Sequence, residues 1–344
     1  MLLSDAGCGF IYHGSTRVSD LSGMKARSGS EMDGKKGKNM LEIKNLQKGY
    51  NDHPVIHDFN IHVHRGEIHG LIGSNGAGKT TLLKCATGIY KPAGGTVQYD
   101  GQDIYDNPKV KQKVAYVSEQ LDFINIYTVS GIGKYYRNFY DTFSMETFQE
   151  LVKRFGINPK KNIGTLSKGQ RAKLNFSLAI AQQPEYMIMD EPESGMDAEG
   201  KALLRDILIE EVDRGQIGVL FSSHDLADVE RMCDSVTMME AGEIFAQKSV
   251  DEFMENVQKW KGVLPEKLTD EKLFEMTVYT TSKIGNLSEF YTVGEREENE
   301  RILGKMGIVD YAGQQIALEE IYTLLKKIYI QRKPGADTNR KEGD

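Results

Sequence analysis

Long apolar runs are missing from this chain of 344 residues. No stretch approaches the roughly 18 uninterrupted apolar residues that a membrane-spanning helix requires. The N-terminus also lacks a charged-then-apolar signal followed by a small-residue cleavage site. The expectation is a chain that neither spans a membrane nor is exported, so that any membrane work falls to a partner. Cysteine is scarce: Cys8, Cys85 and Cys233 are odd in number and far apart, which predicts reduced thiols and a cytoplasmic setting. Positive charge is in deficit, with 43 Lys and Arg against 50 Asp and Glu and a formal charge of -7. With no long basic run and no basic aromatic stripe to offset it, that balance argues against a general nucleic-acid binder and predicts no nucleic-acid partner. Internal repeats of useful length are absent as well.

What is present begins at about Met40. Residues 1–39, rich in Gly, Ser and Lys without any period, predict a disordered leader. From "LEIKNLQKGY" onward short alternating strands follow. In "IHVHRGEIHGLI", Ile61 and Val63 face one way and His62 and His64 the other; two strand histidines suit either a metal pair or, more commonly, a solvated face. The apolar runs "IHGLIG" (68–73), "YMIMD" (186–190) and "IGVLFSS" (217–223) predict buried parallel strands, and the helical patterns between them predict an α/β core. A mostly helical stretch over about 121–181, with outward-looking Tyr135, Tyr136, Phe139 and Tyr140, reads as an inserted subdomain. Beyond about 249 the alternation in "FEMTVYTT" and the helix "LEEIYTLLKKIYI" predict a small α+β appendage over 249–332, followed by a frayed tail over 333–344.

The first chemical motif is "GSNGAGKTT", which follows an apolar strand and precedes a helical pattern. That context is the one in which G-x-x-x-x-G-K-[ST] cradles phosphates. Gly73, Gly76 and Gly78 let the loop wrap around Ser74, Asn75 and Ala77 so that successive N–H groups point at phosphate oxygens. Lys79 places a charge between the β- and γ-phosphates, and Thr80, with Thr81 beside it, offers a hydroxyl to Mg²⁺. The second motif is "YMIMDEP". Asp190 ends a buried strand where it can hold Mg²⁺, and Glu191 is the candidate general base for an attacking water. The third is "FSSHDL", which puts His224 past another strand end, within reach of a γ-phosphate.

The fourth motif is a helix start, "TLSKGQRAKLNF". Ser167 caps the helix and Gln170, three residues on, closes a capping box. Gly169 in the first turn gives up helix propensity where free N–H groups point outward, which marks an anion site.

"GSNGAGKT", "LSKGQ", "YMIMDEP", "SGMD" (194–197) and His224, in that order, resemble the nucleotide-binding subunit of ATP-binding cassette (ABC) proteins. The likeness covers roughly residues 41–245, and "LSKGQ" departs from the commonest LSGGQ only at Lys168. It implies the P-loop NTPase ABC ATPase fold, with a cassette over 40–248 comprising a β-subdomain and the inserted helical subdomain. It also implies ATP hydrolysis with Mg²⁺, and a head-to-tail dimer of identical or related chains with two MgATP sandwiched between them. Ser167, Gly169 and Gln170 then grip nucleotide held by the opposite chain. By the same resemblance Tyr50 stacks on adenine and Asp197 communicates between sites. The family's glutamine between cradle and signature falls at Glu119, a candidate Mg²⁺ ligand that resembles one branch of bacterial export ATPases, with Gln120 beside it; which of the two faces the nucleotide stays open.

The resemblance further implies a polytopic membrane permease on a separate chain. A short helix of that permease would enter a groove formed by Phe123, Ile126, Tyr127 and the neighbouring aromatics, at the cytoplasmic face of the membrane. Drug, antibiotic or lantibiotic export is the branch that the appended tail most resembles. A soluble single-cassette assembly or regulatory ATPase is the alternative. A P-loop kinase or GTPase is disfavoured, because "LSKGQ" has no role there and no N-K-x-D guanine reader is present.

Overall fold

The computed structural model describes residues 39–332 apart from 52, 119–125, 216, 264, 266–277 and 285–286. Residues 1–38 of the expected leader (1–39), the tail over 333–344, Cys8, Phe123, Glu119 and Gln120 therefore lie outside the described residues. The described residues begin at Asn39, one residue before the first strand.

Among the described residues the strands form three sheets. β1 (Met40–Tyr50) and β2 (His53–His64) join β4 (Gly94–Tyr99) and β5 (Gln102–Asp103) in an antiparallel sheet of order β2-β1-β4-β5. The central sheet has the order β10-β9-β3-β8-β7-β6, built from β3 (Ile68–Gly73), β6 (Val114–Val117), β7 (Tyr186–Asp190), β8 (Gly218–Ser222), β9 (Ser235–Glu240) and β10 (Glu243–Ser249). Only its edge strand β10 runs antiparallel to its neighbour. All residues of β3, β7 and β8 are buried, which is why they read as unbroken apolar runs. Their side chains alternate between two cores. Leu71, Ile188 and Leu220 meet Ile43, Ile61 and Val63 of the antiparallel sheet, whereas Ile72, Met189 and Phe221 meet Leu174, Leu178 and Leu208 on the helical side. Ile61 and Val63 are buried, and His62 and His64 are exposed. His62 lies 3.3 Å from the Glu42 carboxylate across the strand pair.

Helix α1 (Lys79–Ala86) follows β3, and α2 (Pro108–Lys111) precedes β6; between β6 and β7 lie α3 (Val129–Tyr136), α4 (Met145–Arg154) and α5 (Lys168–Ala181). Thr128, Ser144 and Ser167 cap them by accepting backbone N–H bonds. The aromatic cluster differs from the outward-looking group that the sequence suggests. Tyr136 stacks on Tyr140 at 5.8 Å and contacts Phe143, which in turn packs on Phe148. Tyr135, Tyr136 and Tyr140 are half-buried against the core. A tyrosine can bury its ring while its hydroxyl reaches solvent, so polarity at the tip hides a packing role. Phe139 and Ile126 remain exposed, at 58% and 79%.

Ser249 ends β10 and caps the helix Val250–Asn256 with a second capping box. After it, β11 (Val257–Val263), β12 (Val278–Ile284), β13 (Leu287–Val293) and β14 (Val309–Gln314) form an antiparallel sheet of order β12-β13-β11-β14. The helix Arg296–Lys305 sits between β13 and β14. Trp260 is buried in this unit, its indole N–H donating to Thr292 Oγ1 at 2.8 Å. The C-terminal helix, Leu318–Arg332, does not stay with that sheet alone. Its Ile321, Leu324, Leu325 and Ile328 share one core with Val229, Met232 and Phe245 of the cassette side, so residues 249–332 are not packed as a self-contained appendage.

Candidate functional site

Strands β3, β8 and β7 are parallel neighbours, with Leu71 paired to Ser222 and Ser222 paired to Asp190. Their C-terminal ends therefore form one row, where an open α/β sheet places its ligands. From this row the chain leaves β3 at Gly73, turns through Ser74–Gly78 and enters α1 (Lys79–Ala86). Gly76 and Gly78 adopt φ of 81° and 106°, in the left-handed region that favours glycine. A Cβ on Gly73 would lie 2.6 Å from the Met239 carbonyl oxygen, so the loop follows the sheet too closely for any side chain there. Gly78 caps α1 without a side-chain acceptor, which leaves the first-turn N–H groups to a ligand. The Lys79 ammonium is buried under the loop and donates to Gly73 O (2.7 Å) and Ser74 O (3.3 Å). Thr80 is exposed beside it. Tyr50 is 43% exposed; its hydroxyl is 3.5 Å from Thr81 Oγ1, and its ring meets Tyr90 edge-on.

At the next strand ends one hydroxyl organises two acids. Ser222 Oγ donates to Asp190 Oδ1 (2.8 Å) and accepts the Glu191 N–H (3.1 Å). Glu191 takes φ of 46°, a left-handed value that its N–H contacts with Ser222 hold in place. Its Oε2 lies 3.2 Å from His224 Nδ1, and the imidazole is largely exposed. Asp190 is buried. Nearby the Tyr116 hydroxyl is buried with no hydrogen-bond partner among the described residues; burial, with the Asp190 charge adding to it, raises its pKa. A free helix N-terminus, an exposed Thr80 hydroxyl, a buried ammonium and a buried carboxylate together fit a triphosphate with a hard divalent cation.

The helix start at α5 has the predicted capping box. Ser167 Oγ accepts the Gln170 N–H (3.2 Å), and Gln170 Oε1 accepts the Ser167 N–H (3.3 Å) and a bond from Lys161 (3.2 Å). Gly169 has an additional cause within the chain: a Cβ there would overlap the Gly195 carbonyl oxygen. Lys168 Nζ donates to Ser194 Oγ (2.8 Å), and Lys173 Nζ donates to Asp197 Oδ1 (2.7 Å). Asp197 also caps α6 (Ala198–Asp213) through the Gly200 N–H. The hydrogen bond from Lys173, with the Gly200 N–H next, lowers the Asp197 pKa. Glu193, in the same loop, is buried beside Asp228, with Lys201 Nζ 3.7 Å away. Burial first, and the Asp228 carboxylate second, push its pKa up to about 7.

Sequence reasoning passed over Ser222, which stands inside the quoted "FSSHDL", and the ties from Lys168 and Lys173. Nothing in their spacing announces a partner more than 20 residues away.

The fold and the site define a P-loop protein built to bind a nucleoside triphosphate. The sequence model of the ABC transporter family matches residues 56–194. Among curated proteins, the ABC transporter ATP-binding protein YtrB of Bacillus subtilis (strain 168) is 33% identical over 220 residues, 64% of this chain and 75% of YtrB. The ABC transporter ATP-binding protein NatA of the same organism is 30% identical, over 59% of this chain and 85% of NatA. Among solved structures, the ATP-binding subunit of an ABC transporter superposes with a TM-score of 0.59 at 29% identity, covering 62% of this chain and 91% of that one. The chain belongs to the ATP-binding subunits of ABC transporters, a family that binds ATP with Mg²⁺ and whose cassettes dimerise and work with membrane subunits.

Proposed function

We propose that the chain hydrolyses ATP in a head-to-tail dimer and thereby powers export through a separate polytopic membrane subunit, from the cytoplasmic face. The observation that carries the hydrolytic part is the strand-end pair: Asp190 and Glu191 share Ser222, and Glu191 meets His224 at 3.2 Å. Glu191 accepts a proton from the water that attacks the γ-phosphorus, and ADP leaves with the bridging oxygen. His224 holds the Glu191 carboxylate in register. Gly73, Ser74, Asn75, Gly76, Ala77 and Gly78 surround the phosphates, Lys79 offsets their charge, Thr81 borders them, and Tyr50 supports the adenine. Mg²⁺, held by Thr80, Asp190 and Glu119, would draw charge from the phosphate oxygens during transfer. Ser167, Gly169 and Gln170 complete the γ-phosphate surroundings of the partner chain, with Asp197 between the two sites.

Domain limits of 40–248 and 249–332 are part of this reading, with the C-terminal helix shared between them. Among the described residues no helix is long and apolar enough to cross a membrane, which supports a pore built by another chain. Exposed Phe139 and Ile126, next to half-buried Tyr127, support a docking groove on the helical subdomain. Export rather than import is the direction that the resemblance read from the sequence implies.

The test is purification of the full chain from detergent-solubilised membranes of its source cells. Co-purification with a polytopic protein, and ATPase activity per chain that rises with protein concentration, are expected. Recovery without any membrane protein would favour the soluble ATPase reading instead. Full activity of a strictly monomeric preparation would overturn the dimer.

A further inference from the structure

The phosphate loop rests on the end of β9 and on the turn leading into β10. The Gly242 N–H donates to Ala77 O (2.9 Å), and Ser74 Oγ donates to Glu240 Oε2 (2.7 Å). The C-terminal helix grips the same hairpin. Lys326 Nζ lies 3.1 Å from Glu240 Oε2, the atom that accepts from Ser74. One turn further along that helix, the Tyr329 hydroxyl donates to Glu243 Oε2 (2.6 Å) and its ring stacks on Phe245 at 5.3 Å. A single carboxylate oxygen thus joins the phosphate loop to a helix far along the chain. Both Glu240 and Lys326 lie beyond the family-matched residues 56–194.

A carboxylate fixed against a site for a triphosphate repels the ligand unless its charge is offset. The Glu240 and Lys326 side chains are only 22% and 26% exposed, so their interaction is screened less than a surface pair. Burial tends to lower the Lys326 pKa, but Glu240 and Tyr322 outweigh it and raise it, so the amine stays charged at neutral pH.

We propose that Lys326 is a positioning residue for the phosphate loop: it neutralises Glu240, which can then hold Ser74 without repelling nucleotide. The C-terminal helix thereby sets the affinity of the cassette for ATP. The inference rests on the reading of Gly73–Thr80 as the ATP site.

The experiment measures binding of a fluorescent ATP analogue with Mg²⁺ to the full chain, alongside the thermal midpoint of each variant. Lys326→Met is expected to weaken binding roughly three- to tenfold at low salt, with the loss shrinking as ionic strength rises. Lys326→Arg should retain affinity. Glu240→Gln added to Lys326→Met should restore it, because the glutamine oxygen still accepts from Ser74 without the charge. Unchanged affinity in Lys326→Met would overturn the inference. So would a loss that neither Arg nor the second substitution relieves, since that pattern marks a helix needed only for support. Lys79→Ala separates the two readings: if it leaves affinity intact, the ATP site itself is misplaced, whereas if it weakens binding while Lys326→Met is silent, only the role of Lys326 falls.

Discussion

The α-carbon of Gly169 faces the carbonyl oxygen of Gly195 with no room for a side chain between them. This approach fastens the start of α5 to the loop Ser194–Asp197, and the bonds Lys168 to Ser194 and Lys173 to Asp197 repeat the connection on either side. The helix start proposed to meet a partner's phosphate and the loop proposed to sense the partner therefore move together.

Gly169→Ala sets two effects against each other. Alanine gains about 0.5–1 kcal/mol of helix propensity over glycine. Overlap with a backbone carbonyl, which cannot swing aside as a side chain can, costs about 1–3 kcal/mol. Net destabilisation on the order of 1 kcal/mol is expected in urea unfolding. A more stable variant would show that the Gly195 carbonyl is free to retreat.

Glu191→Gln keeps the shape of the side chain and its reach to His224 but removes the proton acceptor. ATP turnover should fall by about 10²–10⁴, while the affinity for nucleotide stays within a factor of about two and an ATP-dependent dimer accumulates on size-exclusion chromatography. Turnover at the original rate would remove Glu191 from the role of base.

Glu193 gives the fold a pH dependence. Its pKa is raised by burial and by Asp228 from the ordinary 4.5 to about 7. The folded state therefore holds its proton more tightly than the unfolded chain does. The stabilising contribution is complete below about 4.5 and is lost as pH rises through about 7. Asp228 faces it and is paired with Arg205 and Lys201. Although burial opposes this, the Glu193 hydrogen bond and those cations lower its pKa below the ordinary 3.8, so its own window lies at more acid pH. The urea midpoint of the wild type should drop between pH 5 and about 7.5, and Glu193→Gln, which stays neutral, should flatten that drop. Parallel curves for the two proteins would contradict the shifted carboxyl.

Local signals in the sequence reported the local parts of this molecule. The runs at 68–73, 186–190 and 217–223 were readable as central strands because burial on both faces leaves nothing polar to interrupt them. The capping box of Ser167 and Gln170 and the loop Gly73–Thr80 were readable because each lies within a few consecutive residues. What escaped was contact across the chain. Ile321, Leu324, Leu325 and Ile328 show a helical period, but the period does not say that they pack on Phe245 and Val250. The hydroxyl of Ser222, shared between Asp190 and Glu191, has no spacing signature, because parallel pairing of β7 and β8 is what brings these residues together.

Ser167 offers the sharpest test of the trans arrangement, because its two roles can be separated. In the chain it caps α5 by accepting the Gln170 N–H; in the proposed dimer it approaches the partner's γ-phosphate. Aspartate caps a helix about as well as serine, so Ser167→Asp should hold the thermal midpoint near that of the wild type while setting a carboxylate against the incoming phosphate. Ser167→Arg loses the cap, worth about 1 kcal/mol, and fills the space with a long side chain. Both variants should bind ATP as isolated chains with unaltered affinity, since Gly73–Thr80 is untouched. In a Glu191→Gln background both should fail to form the ATP-dependent dimer. A normal dimer from Ser167→Asp would mean that the free N–H groups of α5 never meet a phosphate, and Gly169 would then be explained by Gly195 alone.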